Sequence, residues 1–282
     1  PLSPEVVAIV LLAALLHASW NTLAKGSPDR LVTMTLFAVT SLVISLLLAP
    51  LAPLPRGQAW LWLLAGALLH SGYKQVLLRA YGAGDLSQVY PLARGAAPLL
   101  VTGVSLAFLD EPLRPQELLG MGLLLLGIFA LSLKPGGKIS WPMLAYALGT
   151  ACFTAAYTLV DGLGARILGN ALSFTIYLHL FDGIIMLGLF ALQRGRSSLA
   201  VWRLPAAVWR QGFLAAVFSF TAFSLIIWAM TQAPIALVAA LRESSILFAL
   251  LLSILVLKER PTVPRLAAGG LILTGLLVTR LG

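Results

Sequence analysis

Apolar stretches of about 20 residues recur along the chain, separated by short breaks of proline, glycine and charge. An α-helix needs that length to cross about 30 Å of hydrocarbon. The pattern therefore predicts ten membrane spans, near 4–24, 31–50, 59–79, 86–108, 115–133, 141–162, 171–192, 207–231, 235–257 and 264–281. The first stretch, Val6 to Leu23, is expected to be a permanent span and not a cleaved signal, because it carries His17, Trp20 and Asn21 and another span follows at once.

The spans divide into two sets of five, residues 1–137 and 138–282. At an offset of 148 positions Arg94 falls on Arg242, Glu111 on Glu259, Gly122 on Gly270, Gly127 on Gly275 and Ser71 on Ser219. The first helices align at a different offset, 136, which lays Thr22-Leu23-Ala24-Lys25-Gly26 on Thr158-Leu159-Val160-Asp161-Gly162. Since each half has an odd number of spans, the second enters the bilayer from the opposite side. The expected fold is an all-α polytopic membrane protein of ten transmembrane helices in two inverted five-helix repeats.

Composition agrees with this reading. Of 282 residues 60% are hydrophobic and 10% charged, against about a quarter charged in soluble domains; the mean hydropathy is +0.96. The single cysteine, Cys152, excludes an internal disulfide, and no cysteine–histidine cluster has metal-ligand spacing. Neither a metal nor a cofactor is expected. The net charge of +9 is scattered through short loops and forms no nucleic-acid patch. On one side of the predicted bilayer the basic residues outside the spans reduce to Arg56, Arg114, Arg166 and Arg280, which places both termini outside the cytoplasm by the positive-inside rule.

Polar residues within spans are the site candidates, because each buried charge costs at least about 2.5 kcal/mol unless it faces protein or water. Arg94 and Arg242 come first, at equivalent positions of the two halves, followed by Glu243 and Ser244. Pro91 and Pro98 bracket Arg94 by one turn on each side and predict a kinked or broken fourth helix. A guanidinium there suits a carboxylate. Arg242 and Glu243 are adjacent and are expected on different faces of one helix. His17 and Asn21, with Trp20 beside them, make one polar stripe; His70 and Lys74, with Tyr73, make another. Lys74, near its helix end, is expected to reach toward the surface. Tyr90, Tyr157 and Trp228, with Phe153, Phe220 and Phe223, predict an aromatic wall opposite the polar one, and His179 with Asp182, one turn apart, predicts a static buried pair or, in a proton-coupled carrier, a proton relay. Glu111 and Glu259 are expected to cap the fifth and tenth helices. Gly120, Gly122 and Gly127, with Gly269, Gly270 and Gly275, predict close helix seams within the chain or between subunits of a homodimer.

The twin stretches Leu106-Ala107-Phe108-Leu109-Asp110-Glu111-Pro112 and Leu255-Val256-Leu257-Lys258-Glu259-Arg260-Pro261, each followed by a glycine-containing apolar helix, complete a pattern that resembles the drug/metabolite transporter superfamily, in particular its ten-span EamA branch. The resemblance covers nearly the whole chain. It implies an exporter of amino acids or other small metabolites, with a central cavity lined by the first, third, fourth, sixth, eighth and ninth helices, in a bacterial inner membrane. Within the branch the chain resembles the YddG-type exporters of aromatic and neutral amino acids. An intramembrane enzyme would need an acid–base or nucleophile set, for which His179 and Asp182 are the only candidates. A channel would show rings of like residues from symmetric subunits. The sequence thus predicts a carrier whose partners are a small-molecule substrate and the lipid bilayer.

Overall fold

The structure, a computed structural model, describes residues 2–24, 30–83, 86–132, 140–195, 201–255, 258 and 260–281. Among them there is no strand. The chain order is α1 (Pro4–Ala24), α2 (Arg30–Leu48) with a short 3₁₀ turn (Ala49–Leu51), α3 (Ala59–Ala83), α4 (Leu86–Phe108), α5 (Pro115–Ser132), α6 (Trp141–Leu168), α7 (Ala171–Arg194), α8 (Ala206–Gln232), α9 (Ile235–Arg242), α10 (Ser245–Leu255) and α11 (Val263–Leu281). Each of the ten predicted spans falls on helix. Among the described residues seven segments are long and apolar enough to cross a membrane, with α9 and α10 counted as one, and Thr35–Leu51 and Pro115–Leu131 are shorter apolar helices. Helix α3 is set apart by His70, Ser71, Tyr73, Lys74 and Gln75, five polar or partly polar residues within six consecutive positions.

Local chemistry explains where helices start and stop. Ser3 Oγ accepts from Val6 N at 3.2 Å and Ser140 Oγ from Met143 N at 3.3 Å, each satisfying a backbone donor that the first turn leaves open. Gly169 ends α6 in the left-handed region (φ 71°) and Asn170 starts α7 by accepting from Ser173 N at 2.9 Å, so two residues turn the chain. At α5 it is Glu117, not Glu111, that reaches the start of the helix, accepting from Arg114 N at 2.8 Å.

Glu111 has a different partner from the one expected. Its Oε2 accepts from Ile235 N at 2.9 Å, at the start of α9, and its Oε1 pairs with Arg166 at 2.8 Å. Arg166 in turn donates to the carbonyls of Met230 and Ala233, both at 2.8 Å. One carboxylate thus ties the α4–α5 connection to the ends of α6 and α8 and the start of α9. Glu259 lies outside the described residues.

The second correction concerns the broken helix. Helix α4 runs unbroken through Pro91 and Pro98, whereas the ninth span divides at Arg242-Glu243-Ser244. There the 3.6-residue winding tightens: Glu243 N bonds Ala240 O and Ser244 N bonds Leu241 O, both at 3.0 Å and three residues back, before Phe248 N resumes the α pattern on Ser244 O at 3.1 Å. A mid-membrane turn of this kind persists only where it is enclosed by protein or lines a polar site.

The helices pair in a pattern that survives exchange of the two halves. Helix α1 lies against α8 and α3 against α6; α2 lies against α7 and α5 against α11; α4 runs along α6, and α1 along α9 and α10. Exchanging α1 with α6 and α3 with α8 returns the same neighbours. The central apolar core draws on both halves, with Val10, Leu63, Phe174, Leu178, Ile227 and Leu237 fully or almost fully buried. Leu47, Phe108 and Leu192 stand on the outside, suited to hydrocarbon.

The α5–α11 seam is set by glycine. A Cβ at Gly275 would lie 2.5 Å from Gly120 O and Leu124 N, both backbone atoms that cannot yield, and one at Gly127 would lie 2.8 Å from Ala268 O. Gly269 faces α10 through Leu250, while Gly122 and Gly270 meet nothing within 4 Å. Gly275→Leu is therefore expected to lower stability by about 3 kcal/mol or more through overpacking, whereas Gly122→Ala is expected to be neutral or stabilising by about 0.5–1 kcal/mol. Thermal unfolding in detergent checks both.

Candidate functional site

Four helices of the two halves bring one polar cluster together. Arg94 on α4 pairs through Nε with Glu243 Oε2 at 2.7 Å and donates from Nη2 to Ser245 Oγ at 3.1 Å. Its Nη1 is 3.4 Å from Nε2 of His17 on α1. Arg242 shares the same carboxylate, with Nε 3.6 Å from Glu243 Oε1. The two residues meet, contrary to the expectation for neighbours on one helix, because the helix ends at Arg242 and Glu243 turns out of its winding. Glu243 is 0% exposed and both arginines are buried. Both guanidiniums lie within 4 Å of Glu243. Among the described residues, Arg242 Nε, both carboxylate oxygens of Glu243 and Ser244 Oγ are buried without a hydrogen-bond partner. Buried polar atoms of this kind require an explanation, since each costs about 1–3 kcal/mol unmade.

The second cluster joins α3 to α6, α7 and α8. His70 Nε2 lies 2.7 Å from Asp161 Oδ2, and Asp161 is 0% exposed. Gly66 makes room for it: a Cβ there would lie 2.7 Å from Asp161 Oδ1. The Tyr157 ring stacks on His70 with centroids 4.0 Å apart, Phe223 meets His70 edge-on at 5.0 Å, and Tyr73 meets Tyr157 edge-on at 5.5 Å. One turn further along α3, Lys74 pairs with Asp182 of α7, which also accepts from Ser71 Oγ at 2.9 Å. Lys74 does not reach for the surface as expected, because α3 continues to Ala83 and leaves it inside the helix.

The remaining candidates are distributed differently from the sequence expectation. Asp182 is held by α3, while His179 turns Nδ1 to the Thr175 carbonyl at 2.9 Å and packs against Phe220 and Phe223; the expected relay is not a bonded pair. Asn21 donates to the His17 carbonyl of its own helix at 2.8 Å. Trp20 Nε1 donates to His17 Nδ1 at 3.2 Å, and its ring meets Phe37. Trp228 packs on the central apolar core. The side chain of Tyr90 lies outside the described residues. Aromatic and polar groups are interleaved and do not face each other as two walls: Tyr157 and Phe223 cover the histidine itself. Sequence reading missed Asp161 as a site residue. A carboxylate inside an apolar run was the available signal, but ending the span at 162 placed it at an edge, whereas α6 continues to Leu168.

A broken mid-span helix, buried charges shared between two halves, and packing that survives their exchange are features of membrane carriers. The sequence profile of the EamA-like transporter family matches residues 5–133 and again residues 141–281. The chain belongs to the EamA-like transporter family. It is thus a multi-pass membrane transporter of the drug/metabolite transporter superfamily, a group of transporters and not of enzymes. A crystal structure of a protein 20% identical to this chain superposes with a TM-score of 0.76, the match covering 98% of each chain, which shows a shared fold. No curated protein matches in sequence.

Proposed function

We propose that this transporter exports amino acids, aromatic and neutral ones foremost, or closely related carboxylate-bearing metabolites, across a bacterial inner membrane by alternating access. The observation that carries the reading lies at the broken helix: beside Glu243, and among the described residues, the buried Arg242 Nε and Ser244 Oγ have no hydrogen-bond partner. A solute carboxylate would give Arg242 Nε and Ser244 Oγ an acceptor. The start of α10 adds the positive end of a helix dipole at the same place, as in carriers whose discontinuous helices meet anionic substrates. Tyr157 and Tyr73 near His70 offer rings for an apolar or aromatic side chain.

In this reading all ten helical segments span the bilayer as two inverted five-helix repeats, residues 1–137 and 138–282, which rock about the central clusters. The exchange-symmetric packing supports that motion.

The test is uptake by liposomes containing the purified protein, with a labelled panel of neutral, aromatic and basic amino acids and with and without a pH gradient. The expected result is saturable uptake of a few neutral or aromatic members. Uptake of amines or nucleotide sugars in their place would move the substrate to another class of this superfamily.

A further inference from the structure

The ion pairs differ in how easily their partners can part. Arg94 with Glu243 and His70 with Asp161 lie buried inside the bundle, where separation strands a charge in an apolar interior. Glu111 and Arg166 stand at one end of the bundle, in the α4–α5 connection and the last turn of α6, and the Arg166 side chain is 32% exposed. Water can take over the bonds of such a pair when it opens. This pair is therefore able to break and re-form.

Its bonds converge on four helix ends. Glu111 Oε2 accepts from Ile235 N at 2.9 Å, where α9 starts behind Pro234 without a side-chain cap, so the carboxylate sits at the positive end of that helix dipole. Arg166 Nη1 meets Glu111 Oε1 at 2.8 Å. Its Nε and Nη2 donate to the carbonyls of Met230 and Ala233, which close the end of α8 and have no partner further along the helix. Glu111 belongs to the first half of the chain; Arg166, Met230, Ala233 and Ile235 belong to the second. A movement of one half against the other at this end breaks the contacts of Glu111 together. Helices α4, α6 and α9 also carry Arg94, Asp161 and Arg242, so the clasp holds the ends of the helices that bear both polar clusters.

Resting on the alternating-access reading above, we propose that Glu111 and Arg166 form the latch of a gate at this end of the carrier, closed in this structure and opened as the two halves rock. The strength of the latch then sets the fraction of molecules open on that side. Neither residue needs to touch the solute; both act on the equilibrium between the two states.

The test follows a buried residue at the start of α9. Ala236 is 0% exposed and follows Ile235; Ala147 is also 0% exposed and lies near the other end of α6. Each is changed to cysteine, Ala236→Cys or Ala147→Cys, together with Cys152→Ala, because Cys152 is exposed. The purified protein in lipid nanodiscs is then treated with a membrane-impermeant maleimide. Glu111→Gln is expected to raise the labelling rate of Ala236→Cys at least about tenfold, the scale of one hydrogen bond to a charged group, and to leave that of Ala147→Cys unchanged. Faster labelling at both positions would make the pair a stabiliser of the fold alone and overturn the latch. Unchanged labelling at Ala236→Cys would overturn it too, and would leave the alternating-access reading to counterflow in liposomes, which needs no latch. If Glu111→Gln does not elute as a folded protein, Arg166→Lys decides by the same two rates: it keeps the charge but loses the fork that reaches one carboxylate and two carbonyls.

Discussion

Replacing Arg94 with alanine is expected to lower transport about a hundredfold or more. Truncating one member of a buried hydrogen-bonded charge pair costs about 2–5 kcal/mol in binding, and about 2.8 kcal/mol is a factor of one hundred. The variant also takes from the fully buried Glu243 its 2.7 Å partner and leaves Arg242 at 3.6 Å. Breaking a buried pair in this way lowers stability by about 3–5 kcal/mol. The two effects separate in a second variant. Arg94→Met combined with Glu243→Gln removes the unpaired charge and is expected to recover most of the thermal stability in detergent, yet not the transport. Recovery of both would make Arg94 a structural partner of Glu243 and nothing more.

His70→Leu is expected to be as damaging to the fold as Arg94→Ala is to transport. Asp161 is 0% exposed, His70 bonds it at 2.7 Å, and Gly66 presses close to its other oxygen. Removing the imidazole strands a carboxylate in an apolar interior, at about 3–5 kcal/mol. Asp161→Asn in the same chain is expected to restore most of that loss, since an amide needs no counter-charge. Thermal unfolding followed by size-exclusion elution reads the difference between the single and double variants.

The helices themselves were legible in the chain because the signal for each is local: an apolar run of membrane length bounded by proline, glycine or charge. So was the equivalence of Arg94 and Arg242, a matter of counting positions. The partners of those residues were not legible. Lys74 meets Asp182 across 108 positions and Glu111 meets Ile235 across 124, separations that no periodicity encodes. Proline misled the search for the broken helix. Pro91 and Pro98 remain inside a continuous α4, and the break fell at Arg242-Glu243-Ser244, where three buried polar side chains and tightened backbone bonds make the turn. Asp161 was passed over because six residues of α6 beyond position 162 were not assigned to the span. Buried charge attracts buried charge over any sequence distance, so the candidates could be named in advance and their pairs could not.

The central claim is that this EamA-like transporter carries an amino acid through a site that opens to one side at a time. Counterflow tests it most directly: liposomes holding the purified protein are loaded with unlabelled L-phenylalanine and diluted into a trace of labelled L-phenylalanine. The account predicts a transient accumulation of label inside above the external concentration, absent from empty liposomes and abolished by Arg94→Ala. Equilibration without overshoot, or an overshoot that Arg94→Ala leaves intact, would contradict it.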